Sequence, residues 1–303
     1  MKFFKKSVII IAILTISVNL FSSIDKNAGK YGYQFLKMPV AVELAGTANT
    51  GEMFSDSPLI MMHNPVAYNR VFGSMVAISH TSWMIDTNMY NIAWRKTNFN
   101  NSFGFGLIYV DYGEFENRTD NGLLVGSYYP MDLNFTVNYS QLITDGFYGG
   151  LNLKLLYEKL NTSSALALTS DLGFLYKTPL KFTNFDFNIK NLINISGKMD
   201  NEAIDLPLIA EFGITSGKEI TENIRLAPAL KLVYMQDYED IKPFVGLNTV
   251  LYDMFTIRFG YKFNYNEEDF STGVGFKINN IELNYSFVNN LDNVHLIGLN
   301  WKY

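Results

Sequence analysis

A period-two code runs through most of the chain. Between Met254 and Phe263, the apolar residues Phe255, Ile257, Phe259, Tyr261 and Phe263 alternate with Thr256, Arg258, Gly260 and Lys262. Ile281, Leu283, Tyr285 and Phe287 alternate with Glu282, Asn284 and Ser286, and Leu133, Phe135, Val137 and Tyr139 with Asn134, Thr136, Asn138 and Ser140. Around Ser271, Phe270, Val274 and Phe276 stand against Ser271, Gly273, Gly275 and Lys277. Successive strand side chains point to opposite faces, so each segment has one apolar and one polar side. A soluble β-sandwich alternates too, but here the apolar side is bulky and aromatic while the other mixes Gly, Asn, Ser and charge. That contrast suits a closed sheet with hydrocarbon outside and a polar lumen inside. The expected fold is all-β, a transmembrane antiparallel β-barrel of about fourteen strands.

Strands are expected near residues 71–80, 86–97, 101–111, 131–142, 147–158, 163–177, 182–192, 206–216, 223–234, 240–252, 254–263, 269–278, 281–288 and 293–303. Connections after even-numbered strands are short, such as Asp145-Gly146, Asp253 and Asn279-Asn280. The two longest, near 112–130 and 193–205, follow odd-numbered strands. With both barrel ends in the periplasm, tight turns fall inside and long loops outside. The last strand sets Ile297, Leu299, Trp301 and Tyr303 against Gly298, Asn300 and Lys302. An ending of this kind resembles the signal read by the barrel-assembly machinery, an expected partner beside the outer-membrane lipid bilayer.

The first residues break the code. Lys2, Lys5 and Lys6 precede the apolar run Ser7 to Ile16, which is too short to span a bilayer, and Ser22 and Ser23 offer a cleavage point. Residues 1–23 therefore read as an export signal peptide. Aromatics make up 15% and charged residues only 17% of the chain, which favours strands over a soluble helical protein. With no cysteine, disulfides, thiolate metal sites and lipoprotein-type anchoring are excluded. No Lys/Arg-rich run exists to bind nucleic acid.

Residues 24–69 are neither signal nor barrel, and the barrel proper is assigned to 70–303. Asp56 or Ser57 can cap a helix starting at Pro58, and Pro65 limits it to a turn or two. Gly46 and Gly51 flank a stretch able to fold back tightly. A lumen of fourteen strands is too wide for side chains alone to fill, so this segment is expected to serve as a plug or hatch. Its candidate residues are Glu43, Gly46, Asp56, Pro58, Met61, Met62, Asn64 and Pro65, with Met53, Met61 and Met62 available to line an adaptable apolar pocket.

On the polar face of the expected strands stand Arg95, Lys154, Asp171, Asp186, Lys190, Glu211, Arg225, Lys231, Arg258, Lys262, Lys277 and Glu282. Both signs are present, so paired networks bracing the wall and holding the plug are expected, with Arg258 and Lys262 able to meet a carboxylate-bearing apolar ligand. The histidines, His63, His80 and His295, lack the close spacing of a metal site. Ser79 and His80 are adjacent in a strand and face opposite ways, so they form no nucleophile–base pair. Gly104-Phe105-Gly106 and Gly273-Val274-Gly275 are strand glycines, not phosphate loops. No enzyme activity, metal or cofactor is expected.

Several segments carry a family resemblance. They are Gln34-Phe35-Leu36-Lys37-Met38, Ala45-Gly46, Asp56-Ser57-Pro58 through His63-Asn64-Pro65, Ile78-Ser79-His80-Thr81-Ser82-Trp83, and Val110-Asp111-Tyr112-Gly113-Glu114. Asp171-Leu172-Gly173, Tyr176-Lys177-Thr178-Pro179, Asn191-Leu192, Leu206-Pro207-Leu208, Gly260-Tyr261-Lys262, and Tyr285-Ser286-Phe287 through Asn293-Val294-His295 continue it. In order and over nearly the whole length they resemble the PorV/PorQ-type outer-membrane proteins, themselves similar to FadL-like transporters. The chain departs from that family at Glu43, where an arginine is usual, at Ala48-Asn49 in place of a glycine pair, and at Asp56-Ser57 in place of a double aspartate. The resemblance implies handling of hydrophobic compounds across the outer membrane. Its alternative is an accessory of type IX protein secretion that meets cargo at the cell surface through the loops near 112–130 and 193–205. A barrel with only a surface or structural role is a third expectation.

Overall fold

The computed structural model describes residues 30–66, 72–180, 183–199, 202–265, 268–290 and 292–303. The expected signal peptide (1–23) and the flanks 24–29 and 67–71 lie outside the described residues.

Fourteen strands of the described chain form one closed antiparallel sheet. They are β1 (Gly73–Ser82), β2 (Asn88–Thr97), β3 (Asn101–Asp111), β4 (Met131–Thr144), β5 (Phe147–Leu160), β6 (Ser163–Lys177), β7 (Thr183–Ser196), β8 (Ile209–Ser216, carried on by Lys218–Thr221), β9 (Ile224–Met235), β10 (Asp240–Leu251), β11 (Phe255–Lys262), β12 (Glu268–Ile278), β13 (Ile281–Asn290) and β14 (Val294–Lys302). Each pairs with its neighbours in sequence, and β14 returns to β1, from Met75 opposite Lys302 to Ser82 opposite His295. Closure leaves no strand edge unpaired in hydrocarbon, the condition for crossing a membrane with strands. No helix among the described residues is long and apolar enough to cross one.

The alternation maps onto the two sides of the wall. In β11, Phe255, Ile257, Phe259 and Tyr261 are exposed outward while Arg258, Gly260 and Lys262 are buried inward. In β4, Asp132, Asn134, Thr136, Asn138 and Ser140 are all buried inward. Outward rings in contact, stacked in Trp94–Phe105–Phe135 and tilted in Phe255–Phe276, continue the apolar side from strand to strand.

Connections after even strands are tight turns. At Asn279, and at Tyr252 and Asp253, the backbone takes the positive φ that twist-matched hairpin turns require. The long connections 112–130 and 197–208 follow β3 and β7, and each carries a small hairpin, Phe115–Arg118 with Leu124–Tyr128 and Lys198–Met199 with Glu202–Ala203. The barrel therefore has a long-loop end and a turn end, with β1 starting and β14 finishing at the latter.

Residues 31–66 fold as short pieces: a 3-10 turn (Gln34–Lys37), the helix α1 (Val42–Ala45), and 3-10 turns Glu52–Phe54 and Pro58–Met62. None could persist alone, since so few residues gain too few hydrogen bonds to offset ordering. They are held by the inner wall, where Tyr33, Phe35, Leu44, Leu59, Ile60 and Met61 share one buried cluster with Ala77, Met89, Ala93, Ile108 and Leu156 of the strands. The expected helix after Ser57 is a single short turn, ending before Pro65. The expected side-chain cap is absent: Ser57 precedes the turn, but its hydroxyl donates outward to Asn300 Oδ1 at 2.9 Å. The hydroxyl is aimed at the wall's buried amide and away from the turn's own N–H groups. Ala48 and Asn49, where the resemblance puts a glycine pair, both have positive φ (54° and 58°).

Candidate functional site: the lumen and the N-terminal segment

The segment enters at the long-loop end. There Gly32 N–H donates to Asp205 O at 3.0 Å, and Lys37 pairs with Asp237. It descends through α1, reaches the turn end at Met53–Asp56, where Arg95 of β2 donates to Asp56 O at 3.1 Å, and climbs back through Pro58–Met62. Glycines on the inward register of the strands make room for it. A Cβ on Gly104 would stand 2.6 Å from Met61 Sδ, one on Gly106 2.7 Å from Met62 Cε, and one on Gly298 2.8 Å from Val42 Cγ2. Gly46 packs on Gly273, Ala48 on Gly260, and Pro65 on Gly150 and Gly173. Met61 and Met62 thus fill notches in the wall rather than lining an open pocket.

Polar groups complete the contact. Asn284 and Asn300 donate to Glu43 Oε1 at 3.0 and 2.5 Å, and Arg258 donates to Asn284 Oδ1 at 2.9 Å. Burial, followed by the charge of Glu282, raises the Glu43 carboxyl above its usual range, while Arg258 pulls it down. Ser79 and Ser286 donate to Val40 O and Val42 O, Asn152 to Met61 O, and Asn138 to Pro65 O. Asn64 Oδ1 accepts the Val66 N–H at 2.9 Å. His63 Nε2 accepts the Val40 N–H at 3.1 Å, which requires a neutral ring; burial and then the nearby Lys190 hold its pKa well below the usual value.

The inward charges form a set of pairs. Lys154 meets Asp171 at 2.5 Å, Lys190 meets Glu211 at 2.7 Å, and Lys262 meets Glu268. Lys231 of β9 bridges Glu52 of the segment and Glu211 of β8. Arg258 lies 3.5 Å from Glu282. Arg225, expected among the lumen charges, sits at the turn-end rim and pairs with Asp253 at 2.6 Å, with both side chains largely exposed. There a cavity of about 740 Å³ opens beneath Phe54, Ser55 and Asp56, edged by Arg225, Arg258, Lys277 and Glu282. His80 and His295 face outward, on the opposite side of the wall from His63, and bond Asn88 and Tyr285. Among the described residues, no three His, Cys, Asp or Glu side chains gather as a metal cluster.

Sequence reasoning missed Glu52, Asn284 and Asn300. The two asparagines were legible as inward positions, but only the fold shows Glu43 between them. Near the end of β14, Trp94 donates to the Tyr303 hydroxyl at 2.9 Å, so the last aromatic is tied to β2 across β1. Ile297, Leu299 and Trp301 sit in the final strand, opposite Ile78 in the case of Leu299.

The fold is shared with solved outer-membrane barrels. The CymD monoaromatic hydrocarbon channel aligns with a TM-score of 0.60 at 12% identity, over 87% of this chain and 97% of that one. The Pseudomonas putida toluene transporter TodX aligns at 0.59 and 10%, over 87% and 98%. A Pseudomonas aeruginosa FadL homologue aligns at 0.53 and 10%, over 88% and 99%. No match was found among curated protein sequences. The finer likeness to PorV/PorQ-type proteins has no counterpart among these matches. The family described as type IX secretion system membrane protein PorP/SprF matches residues 95–301, from β2 through β14. The chain is a bacterial outer-membrane β-barrel and belongs to the PorP/SprF family of type IX secretion membrane proteins.

Proposed function

We propose that this protein is a sealed, non-catalytic component of type IX secretion. Residues 24–69 act as its plug, the barrel-assembly machinery inserts it, and its long-loop end receives a secreted cargo protein. The observation that carries this reading is the glycine track, which seats Val42, Gly46, Ala48, Met61, Met62 and Pro65 against the wall from β3 around to β14. A surface so matched to its occupant favours a barrel whose lumen stays closed and whose work is done at its rim. The PorV/PorQ-like segments named above favour the same secretion role. The test is a strain carrying the barrel without residues 114–129, the hairpin of the first long loop. Cargo should then be made and the barrel assembled, but cargo display at the surface lost. Normal display would overturn the proposal.

A second reading is FadL-like handling of hydrophobic compounds. It is favoured by the irregularity of β7, where Asn191 takes a positive φ and Lys190–Leu192 bulge opposite Asp171 of β6. Intact protein in lipid vesicles decides between the two: flux of an apolar solute such as toluene supports this reading, and none supports the sealed barrel. Removing residues 24–66 should raise that flux if they form the plug.

A further inference from the structure

At the long-loop end, Asp132 of β4 stands directly opposite Glu158 of β5, and both carboxylates point inward. Like charges directly opposed on neighbouring strands repel, and burial makes each costlier unless it is compensated. Yet among the described residues neither belongs to an ion pair. Asp132 is 4% exposed; its Oδ2 accepts the Tyr112 hydroxyl at 2.5 Å, but its Oδ1 has no partner. Glu158 takes the Tyr33 backbone N–H, and its Oε2, also buried, has none. The Tyr33 side chain, 3% exposed, brings a third unpartnered oxygen. Three buried oxygens, two of them from opposed carboxyl groups and one from the tyrosine whose backbone bonds Glu158, are thus left without a partner.

We propose that Asp132 and Glu158, with the Tyr33 hydroxyl, hold a hard divalent cation of the calcium type at the long-loop mouth. The donors are all oxygen, with no nitrogen or sulfur ligand, which selects calcium or magnesium over transition metals. Calcium accepts irregular oxygen shells and completes them with water, as two carboxylates and one phenol require, whereas magnesium demands a near-octahedral set. The ion ties three parts of the chain together. Tyr33 belongs to the N-terminal segment, Tyr112 opens the long 112–130 connection, and Asp132 and Glu158 belong to the wall. It is a clamp at the outer mouth, and it stands whether or not the barrel serves secretion.

The test uses full-length protein refolded in detergent and stripped of metal. Terbium, a calcium mimic excited through neighbouring tyrosines, should give saturable emission that calcium displaces, and calcium should raise the unfolding temperature. Glu158→Gln and Asp132→Asn should each weaken binding by roughly tenfold or more, because charge count sets affinity. Both should stay folded, since each removes a repulsion; should Asp132→Asn misfold, Glu158→Gln at the less buried position carries the test. No saturable binding by the wild type, or equal binding by Glu158→Gln, would overturn the site. So would an unfolding temperature that rises on acidification but ignores metal, which would mean that the two carboxylates share a proton.

Discussion

Replacing Lys231 by Met tests how the N-terminal segment is held. The Lys231 side chain is 3% exposed and reaches across the lumen from β9 to Glu52, with Glu211 Oε2 at 3.4 Å. Asp186 lies in the same buried patch, its Oδ2 without a partner. Three carboxylates there face two lysines, and Lys231→Met leaves them facing Lys190 alone. Removing one partner of a buried pair costs about 3–5 kcal/mol, because the other charge stays desolvated. Barrel closure does not involve Glu52, so the strain is relieved most cheaply by releasing the segment into water. A cost of that size shifts the docked-to-released ratio by roughly a hundredfold or more. The expected outcome is a folded barrel whose residues 31–66 become protease-accessible and whose vesicles leak. Adding Glu52→Gln removes the stranded charge, and Glu211 keeps Lys190 at 2.7 Å, so the double variant should recover most of the loss. If Lys231→Met is indistinguishable from wild type, or if the double variant costs the sum of the singles, the pair does not hold the segment.

Three further outcomes follow from particular residues. Ala48→Gly relieves a left-handed backbone at φ 54° and should stabilise the folded protein by about 1 kcal/mol in urea unfolding; no gain would mean the surroundings have absorbed the strain. His63 has a depressed pKa, so the unfolded chain binds its proton first and stability falls as the pH drops from about 6.5. His63→Gln, which keeps an acceptor for the Val40 N–H, should lose that part of the acid sensitivity in thermal unfolding at pH about 5 against pH about 7. Removing Tyr303 takes away both the last aromatic and the bond from Trp94, and should lower the yield of assembled barrel in the outer membrane without changing synthesis.

How much of this was legible in the sequence depends on which pairing produced it. The strands were readable because their two faces meet two different environments, so each strand records its own orientation in a few residues. Phe255 to Lys262 needs no knowledge of any other segment. The seat of the N-terminal segment was not readable in that way. Gly104 and Gly106 mark inward positions, but that Met61 and Met62 fill them depends on a contact across the lumen, with no period to betray it. Glu52 lies on a segment without a pattern, so its partner Lys231 could be placed on a strand while Glu52 could not be placed at all.

The acid pair at the mouth was hidden by a single residue. The turn at Asp145-Gly146 sets Thr144 opposite Phe147. Counted outward from that turn without interruption, Asp132 would face Lys159, an attractive pair that would need no comment. The ladder instead slips between Leu142 and Thr144, so that Leu142 faces Tyr148 and every residue beyond is displaced by one. Side chains alternate with period two, so the slip exchanges an inward lysine for an inward glutamate. Lys159 turns outward to the exposed side, and Glu158 comes to rest against Asp132. A bulge that replaces an ion pair with a buried repulsion is destabilising by itself, and a cation held between the two acids would offset that cost where a shared proton would only remove one of the charges.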